Sequence, residues 1–228
     1  MAEHDLGNRV LFIIDGIDKL RGEDTRRFFV VDAEQLLAIA GHVVYTAPLA
    51  LKYEGGLVGR LDGDLVLPMI KLFEKGGPKP DSIPHEAGQK AIREILLLRA
   101  DRSLFASDEE IKTLVAHSGG HPRELLRLLK LCCEYAEENR IDQATVQQAV
   151  QQLASEYRRF LEPEDYAMLA GIDADPVHTG NDERGRKLLY NLVLLEYNDG
   201  AWRRSHPVVR TLEGYVRAAA ARSNGVSS

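Results

Sequence analysis

Five apolar residues, Val10-Leu11-Phe12-Ile13-Ile14, run unbroken into Asp15 and then Gly16-Ile17-Asp18-Lys19-Leu20. Such a run predicts a buried parallel strand that delivers one carboxylate to the carboxyl edge of its sheet, where α/β proteins bind ligands. An ordinary buried strand ending in a capping Asp has the same pattern. Two further strands are predicted at His42–Thr46 and Asp64–Pro68. Between the first two, Arg26 to Ala40 has helical spacing, with Phe28, Leu36, Leu37 and Ala40 inward and Gly41 as the stop signal. The strand–helix–strand order predicts a right-handed parallel crossover and reads as the second half of a sheet whose first half is missing.

Lys75 to Pro84, rich in Gly and Pro, reads as a linker, and beyond it the pattern turns helical. One helix covers Gly88 to Arg99. A capping box at Ser107-Asp108-Glu109-Glu110 opens a second, His121-Pro122 a third, and Asp142 a fourth. Glu162 to Ala170 and Asp182 to Leu195 are also predicted as helices. Leu194–Asn198 and Ala201–Ser205 flank Asp199-Gly200, a strong hairpin signal. Helices followed by one short hairpin describe a winged helix. The predicted fold is mixed α/β, then mostly α: an incomplete parallel-sheet core at 1–76, a helical lid at 85–155 and a winged helix at 156–220.

Composition narrows the function only slightly. The 228 residues are 44% hydrophobic and 28% charged, with a net charge of −6, so no global basic field attracts nucleic acid. Residues 156–228 carry ten basic and eleven acidic side chains, so DNA binding there would need a local patch. No run of uncharged apolar residues is long enough to cross a bilayer. The acidic start, Met1-Ala2-Glu3-His4-Asp5, does not read as a secretory signal, and a cytoplasmic location is expected. Cys132 and Cys133, adjacent in a helical pattern, read as buried side chains or free thiols, and seven scattered histidines give no metal spacing.

In this order the features resemble the P-loop ATPases of the AAA+ and STAND kind, particularly the branch near the origin-recognition ATPases. The resemblance runs from Val10 to about Tyr215. It makes Val10–Asp15 a Walker B strand, with Asp15 positioning Mg²⁺ for ATP. Asp18, three residues on, would orient water or the metal shell, or else cap the following helix. Thr46, at the end of the second strand, matches sensor 1, or caps its own turn. Gly59-Arg60-Leu61-Asp62 resembles the segment carrying an arginine finger, which would make Arg60 reach a neighbouring subunit in a homo-oligomer; a solvated loop arginine is the other reading. Ser118-Gly119-Gly120-His121-Pro122-Arg123 resembles the sensor 2 segment of the lid, with Arg123 in the first turn of its helix, where an anion is favoured. Arg127 is the substitute one turn on. In the winged helix, Arg184, Arg186 and Lys187 near the start of the recognition helix and Arg203 and Arg204 on the wing would contact DNA phosphates, or the module would dock a protein.

The phosphate loop GxxxxGK[ST] occurs nowhere in the chain. Without it the β- and γ-phosphates lose their main cradle and Mg²⁺ loses a ligand. The expectation is therefore the C-terminal portion of a longer ATP-dependent switch, with no tight nucleotide binding by this chain alone. The alternative is a non-hydrolysing adaptor that binds DNA or protein through its winged helix.

Overall fold

A computed structural model describes residues 10–20, 23–53, 60–75, 81–177, 182–198 and 200–225. Gly59, Asp199 and half of the predicted linker (76–80) lie outside them. The chain divides into two compact units: Met1–Val66 with Asn181–Asn191, and Leu67–Gly180 with Leu192–Ser228. The first is mixed α/β and the second mostly helical. The boundary expected at residues 155/156 falls inside a continuous helix.

In the first unit, β1 (Leu11–Ile14) and β2 (His42–Tyr45) pair in parallel, with Leu11 opposite His42 and Ile14 opposite Tyr45. The connection is not the single helix that the spacing predicts. A 3₁₀ turn at Ile17–Lys19 leads to α1 (Glu23–Arg26), a π-helical turn (Arg27–Val31) and α2 (Ala33–Leu37). The π turn falls on four consecutive large apolar residues, Phe28 to Val31, and is closed by the Asp32 N–H on the Arg27 carbonyl at 2.8 Å. The extra residue per turn seats Phe29 in the core beside Ala33 and Leu51, with Phe28, Leu36 and Leu37 against them. The helix stops at Leu37, short of Gly41, so Ala40 lies past its end and is exposed rather than inward.

Among the described residues this sheet is covered mainly on one face. The register and the alternation of side chains put Leu11, Ile13 and Val44 together on one face, where Leu11 is 56% and Ile13 67% exposed. On the opposite face the Tyr45 hydroxyl donates to the Leu36 carbonyl at 2.9 Å. The third predicted strand does not form. Asp64–Pro68 pairs with nothing among the described residues; Leu65 is fully exposed and Leu67 is 94% exposed. Its apolar composition suits a strand, but among the described residues β1 and β2 pair only with each other.

The second unit follows the sequence pattern closely. Its helices are α3 (Glu86–Leu97), α4 (Asp108–His117), α5 (Pro122–Tyr135), α6 (Gln143–Arg158) and α7 (Pro163–Ala174). Ser107 and Glu110 form the predicted capping box, and Asp142 accepts the Thr145 N–H at 2.8 Å. His121 Nδ1 accepts the Arg123 N–H at 3.1 Å, with Pro122 at the first helical position. Such caps each contribute about 1 kcal/mol. Ile92, Leu96, Ile111, Leu114, Leu125 and Leu128 are fully buried among these helices. The predicted hairpin is present as β3 (Leu194–Tyr197) and β4 (Trp202–Ser205), antiparallel, with Glu196 opposite Arg203. Helix α8 (Glu183–Tyr190) precedes it and groups with the first unit. It ends at Tyr190 rather than running to Leu195, and Leu192 turns the chain with a φ of 56°. A 3₁₀ turn (Val209–Thr211) and α9 (Glu213–Gly225) close the fold. No helix among the described residues is long and apolar enough to cross a membrane.

The hairpin, the segment after Val66 and the start of α5 meet at Gly119-Gly120. The Ile70 N–H donates to the Gly120 carbonyl at 3.0 Å, and the Tyr197 hydroxyl to the Gly119 carbonyl at 2.8 Å. Both glycines have positive φ, 61° and 78°, and a Cβ on Gly120 would lie 1.7 Å from the Ile70 oxygen. Gly120→Ala is expected to cost about 3 kcal/mol or more in urea denaturation. Gly63→Ala, where a Cβ meets nothing within 4 Å, is expected to change stability by under about 0.5 kcal/mol. Equal effects of the two substitutions would contradict this close approach.

Candidate functional site

Parallel pairing brings two of the candidate residues side by side. β1 and β2 end level, so Asp15 and Thr46 are the next residues on adjacent strands, and the Thr46 N–H donates to the Ile14 carbonyl at 3.1 Å. Asp15 is exposed, with its Oδ1 accepting the Gly16 N–H at 2.7 Å. Gly16 has a φ of 84°, which turns the chain sharply away from the strand end. The Thr46 hydroxyl oxygen is shielded from solvent and has no hydrogen-bond partner. A buried hydroxyl left without a partner costs about 1–3 kcal/mol, so one that persists calls for an explanation. Asp18 lies in the 3₁₀ turn just beyond Asp15. Arg60 donates to Glu34 Oε1 of α2 at 2.6 Å. Both side chains are largely exposed, and pairs of that kind contribute no more than about 1 kcal/mol. Arg60 is thus tied to its own unit by a weak, displaceable contact.

In the second unit the two arginines of α5 have different surroundings. Arg123, in the first turn, is exposed, and no carboxylate among the described residues pairs with it. Arg127 is committed to the fold. Its guanidinium donates to both oxygens of Glu124, at 2.8 and 3.1 Å, and to Glu156 at 2.6 Å, while the Tyr157 hydroxyl donates to Glu124 at 2.9 Å. Burial disfavours the Arg127 charge, but the Glu124 carboxylate outweighs it and holds the pKa above its ordinary value. Burial, with Glu124 beside it, also pushes the Tyr157 phenol up. This network, which joins α5 to α6, is absent from the sequence reading. Its signal was there: Glu124 precedes Leu128 and Cys132 at four-residue intervals, an acid on the buried face of a helix.

The basic patch does not assemble as expected. Arg203 and Arg204 do not lie on an exposed wing; they are 2% and 4% exposed. The hairpin is buried on both faces, so adjacent β4 residues both face protein. Arg203 pairs with Glu196 directly across the ladder at 2.9 Å. Arg204 lies over Trp202 and donates to the Asp173 carbonyl of α7. Trp202 stacks on Tyr197 with ring centroids 4.3 Å apart. Neither arginine can reach a DNA phosphate from there. Arg184, Arg186 and Lys187 are on α8, in the other unit.

Cys132 is buried, its thiol pushed up to about 12 by desolvation, while Cys133 is exposed; neither forms a disulfide. Among the described residues no group of three or more His, Cys, Asp or Glu is disposed to hold a metal ion. Charge reversal at Arg203 and Arg204 is expected to unfold the second unit rather than merely alter its surface, because removing one partner of a buried ion pair costs about 3–5 kcal/mol. A loss of cooperative unfolding by circular dichroism is the expected result, and a variant with wild-type stability would refute the buried role. No family model, curated protein or solved structure matches this chain.

Proposed function

We propose that this chain is the C-terminal portion of an ATP-dependent molecular switch of the AAA+ or STAND kind, whose phosphate loop is supplied by another segment. The observation that carries this reading is the pairing of Asp15 with Thr46. An exposed carboxylate and an unpartnered hydroxyl stand next to each other at the carboxyl ends of two adjacent parallel strands, the position where open α/β sheets bind ligands. Asp15 would hold Mg²⁺ by way of water, and Thr46 would donate to a phosphate oxygen or to the attacking water. Asp18 is near enough in sequence to orient that water. Bound Mg-ATP supplies the transferable phosphoryl group, and the protein's part is positioning and charge stabilisation. The open face of Leu11, Ile13 and Val44 supports the same reading, since parallel sheets are ordinarily covered on both faces. The exposed Arg123, early in a 14-residue helix, has the charge and the helix-end setting for an anion.

The adaptor reading is weakened in its DNA-binding form, because the hairpin's two arginines are engaged inside the fold. A hairpin used for protein docking would have to present other residues.

Two measurements test the nucleotide reading. The chain alone is expected to show no Mg-ATP turnover above background and no micromolar binding by calorimetry, since it lacks the phosphate cradle. When it is joined to a strand bearing GxxxxGK[ST], Asp15→Asn is expected to slow turnover on the order of a hundredfold with little change in Tm. Turnover unaffected by Asp15→Asn would reduce Asp15 to the turn-capping role that its bond to Gly16 already serves.

A further inference from the structure

His206 follows β4 directly, and its backbone N–H donates to the Val193 carbonyl at 2.7 Å, so the ring is fixed at the base of the hairpin. The ring is fully buried and lies against the Tyr157 ring of α6, with centroids 5.1 Å apart. Its Nδ1 accepts the Val208 N–H at 3.2 Å. A nitrogen that accepts carries no proton, so the neutral ring has its hydrogen on Nε2. Nε2 has no hydrogen-bond partner. Tyr157 of α6 lies against the ring, and the groups whose positive charge opposes one on it are Arg210 from the turn after β4, His121 at the start of α5, His117 of α4 and Arg127 of α5. The carboxylates of this region are already engaged: Glu124 by Arg127 and the Tyr157 hydroxyl, Asp173 by the Ser205 N–H and the Tyr215 hydroxyl, and Asp81 by Arg210. An imidazolium here would oppose the Val208 N–H with a second donor and leave its Nε2–H unsatisfied in a buried site.

We propose that His206 is an acid-sensitive latch: neutral, it holds the Val209–Thr211 turn and α9 against the helices of the second unit; protonated, it leaves its site and frees them. The released segment carries two further ties, Arg210 to Asp81 and Tyr215 to Asp173. The inference does not depend on the nucleotide reading.

Burial first, then Arg210 and the neighbouring histidines, hold the His206 pKa well below its ordinary 6.5. In an opened state the ring would protonate near that ordinary value, so below it the open form binds more protons than the closed one. Closure is therefore complete above about pH 6.5 and weakens as pH falls, by about tenfold in the closed-to-open ratio per pH unit, until the depressed pKa of the closed state is reached. Burial also lowers the pKa of His117 and His121, which act in the same direction, so substitution is needed to isolate His206.

Hydrogen exchange of the full chain, corrected for intrinsic rates, tests this between pH 7 and pH 4.5. Protection of residues 207–222 is expected to fall at least about tenfold per pH unit below 6.5 while α3 keeps its protection. His206→Asn, which can still accept from Val208 but does not titrate, is expected to make the fall shallower by about tenfold per pH unit, leaving only what His117 and His121 contribute, as is His206→Phe, which keeps the ring. The same fall in a folded variant, or loss of protection in α3 together with the C-terminal segment, would overturn the latch. Histidine ¹⁵N spectra of the wild-type chain give a readout that needs no variant. They should show an Nε2–H tautomer for His206 at pH 7; ordinary titration near 6.5 with unchanged protection would also refute the proposal.

Discussion

Gly120 and Ile70 approach so closely that no side chain fits between them, and the second unit is assembled around that contact. The double glycine lets the chain leave α4, pass under the Ile70 backbone, present a carbonyl to Tyr197 and enter α5 through the His121 cap, all within a few residues. Ser118 completes the turn by accepting the Gly120 N–H and donating to the Val115 carbonyl. Each residue of Ser118-Gly119-Gly120-His121-Pro122 thus has a structural duty. The segment that most resembles a nucleotide sensor is accounted for without nucleotide, and only Arg123 is left without such a duty.

The two units differ in how completely they satisfy themselves. In the second, most polar groups taken out of water find partners, His206 Nε2 being an exception: Arg203 meets Glu196, Asp173 accepts from both Ser205 and Tyr215, and Arg127 bridges two acids. Buried ion pairs add little net stability over apolar packing, but breaking them is costly. Here they tie the hairpin to one register and one seat. Among the described residues the first unit keeps an uncovered apolar sheet face, an exposed, unpaired Leu65 and an unpartnered Thr46 hydroxyl. What this protein binds is better sought where the fold is unfinished.

The helices of the second unit were legible in the sequence because their ends carry local chemistry. Ser107 with Glu110, Asp142, and His121 with Pro122 announce their caps within four residues. The failures came where a non-local partner decides. Phe28 to Val31 fit a regular helix by spacing, but their packing on Ala33 and Leu51 imposes a π turn. Asp64–Pro68 has strand composition without a strand to pair with. Arg203-Arg204 looks like a charged wing until both faces of the hairpin prove to be covered. One clue was available: counted outward from Asp199-Gly200, Glu196 and Arg203 fall opposite each other, as an ion pair across the ladder requires.

The division of the chain also has a consequence in time. Neither unit is a continuous stretch, for the path passes between them after Val66, after Gly180 and after Asn191. A nascent chain emerging from the ribosome cannot finish the first unit until α8 has been made, nor the second until the hairpin and α9 follow. Through most of synthesis the Leu49–Tyr53 turn, against which α8 packs, would lack that cover, a state prone to aggregation and suited to chaperone capture. For the same reason a fragment beginning at residue 156 would carry the hairpin without the Gly119-Gly120 turn on which Tyr197 rests.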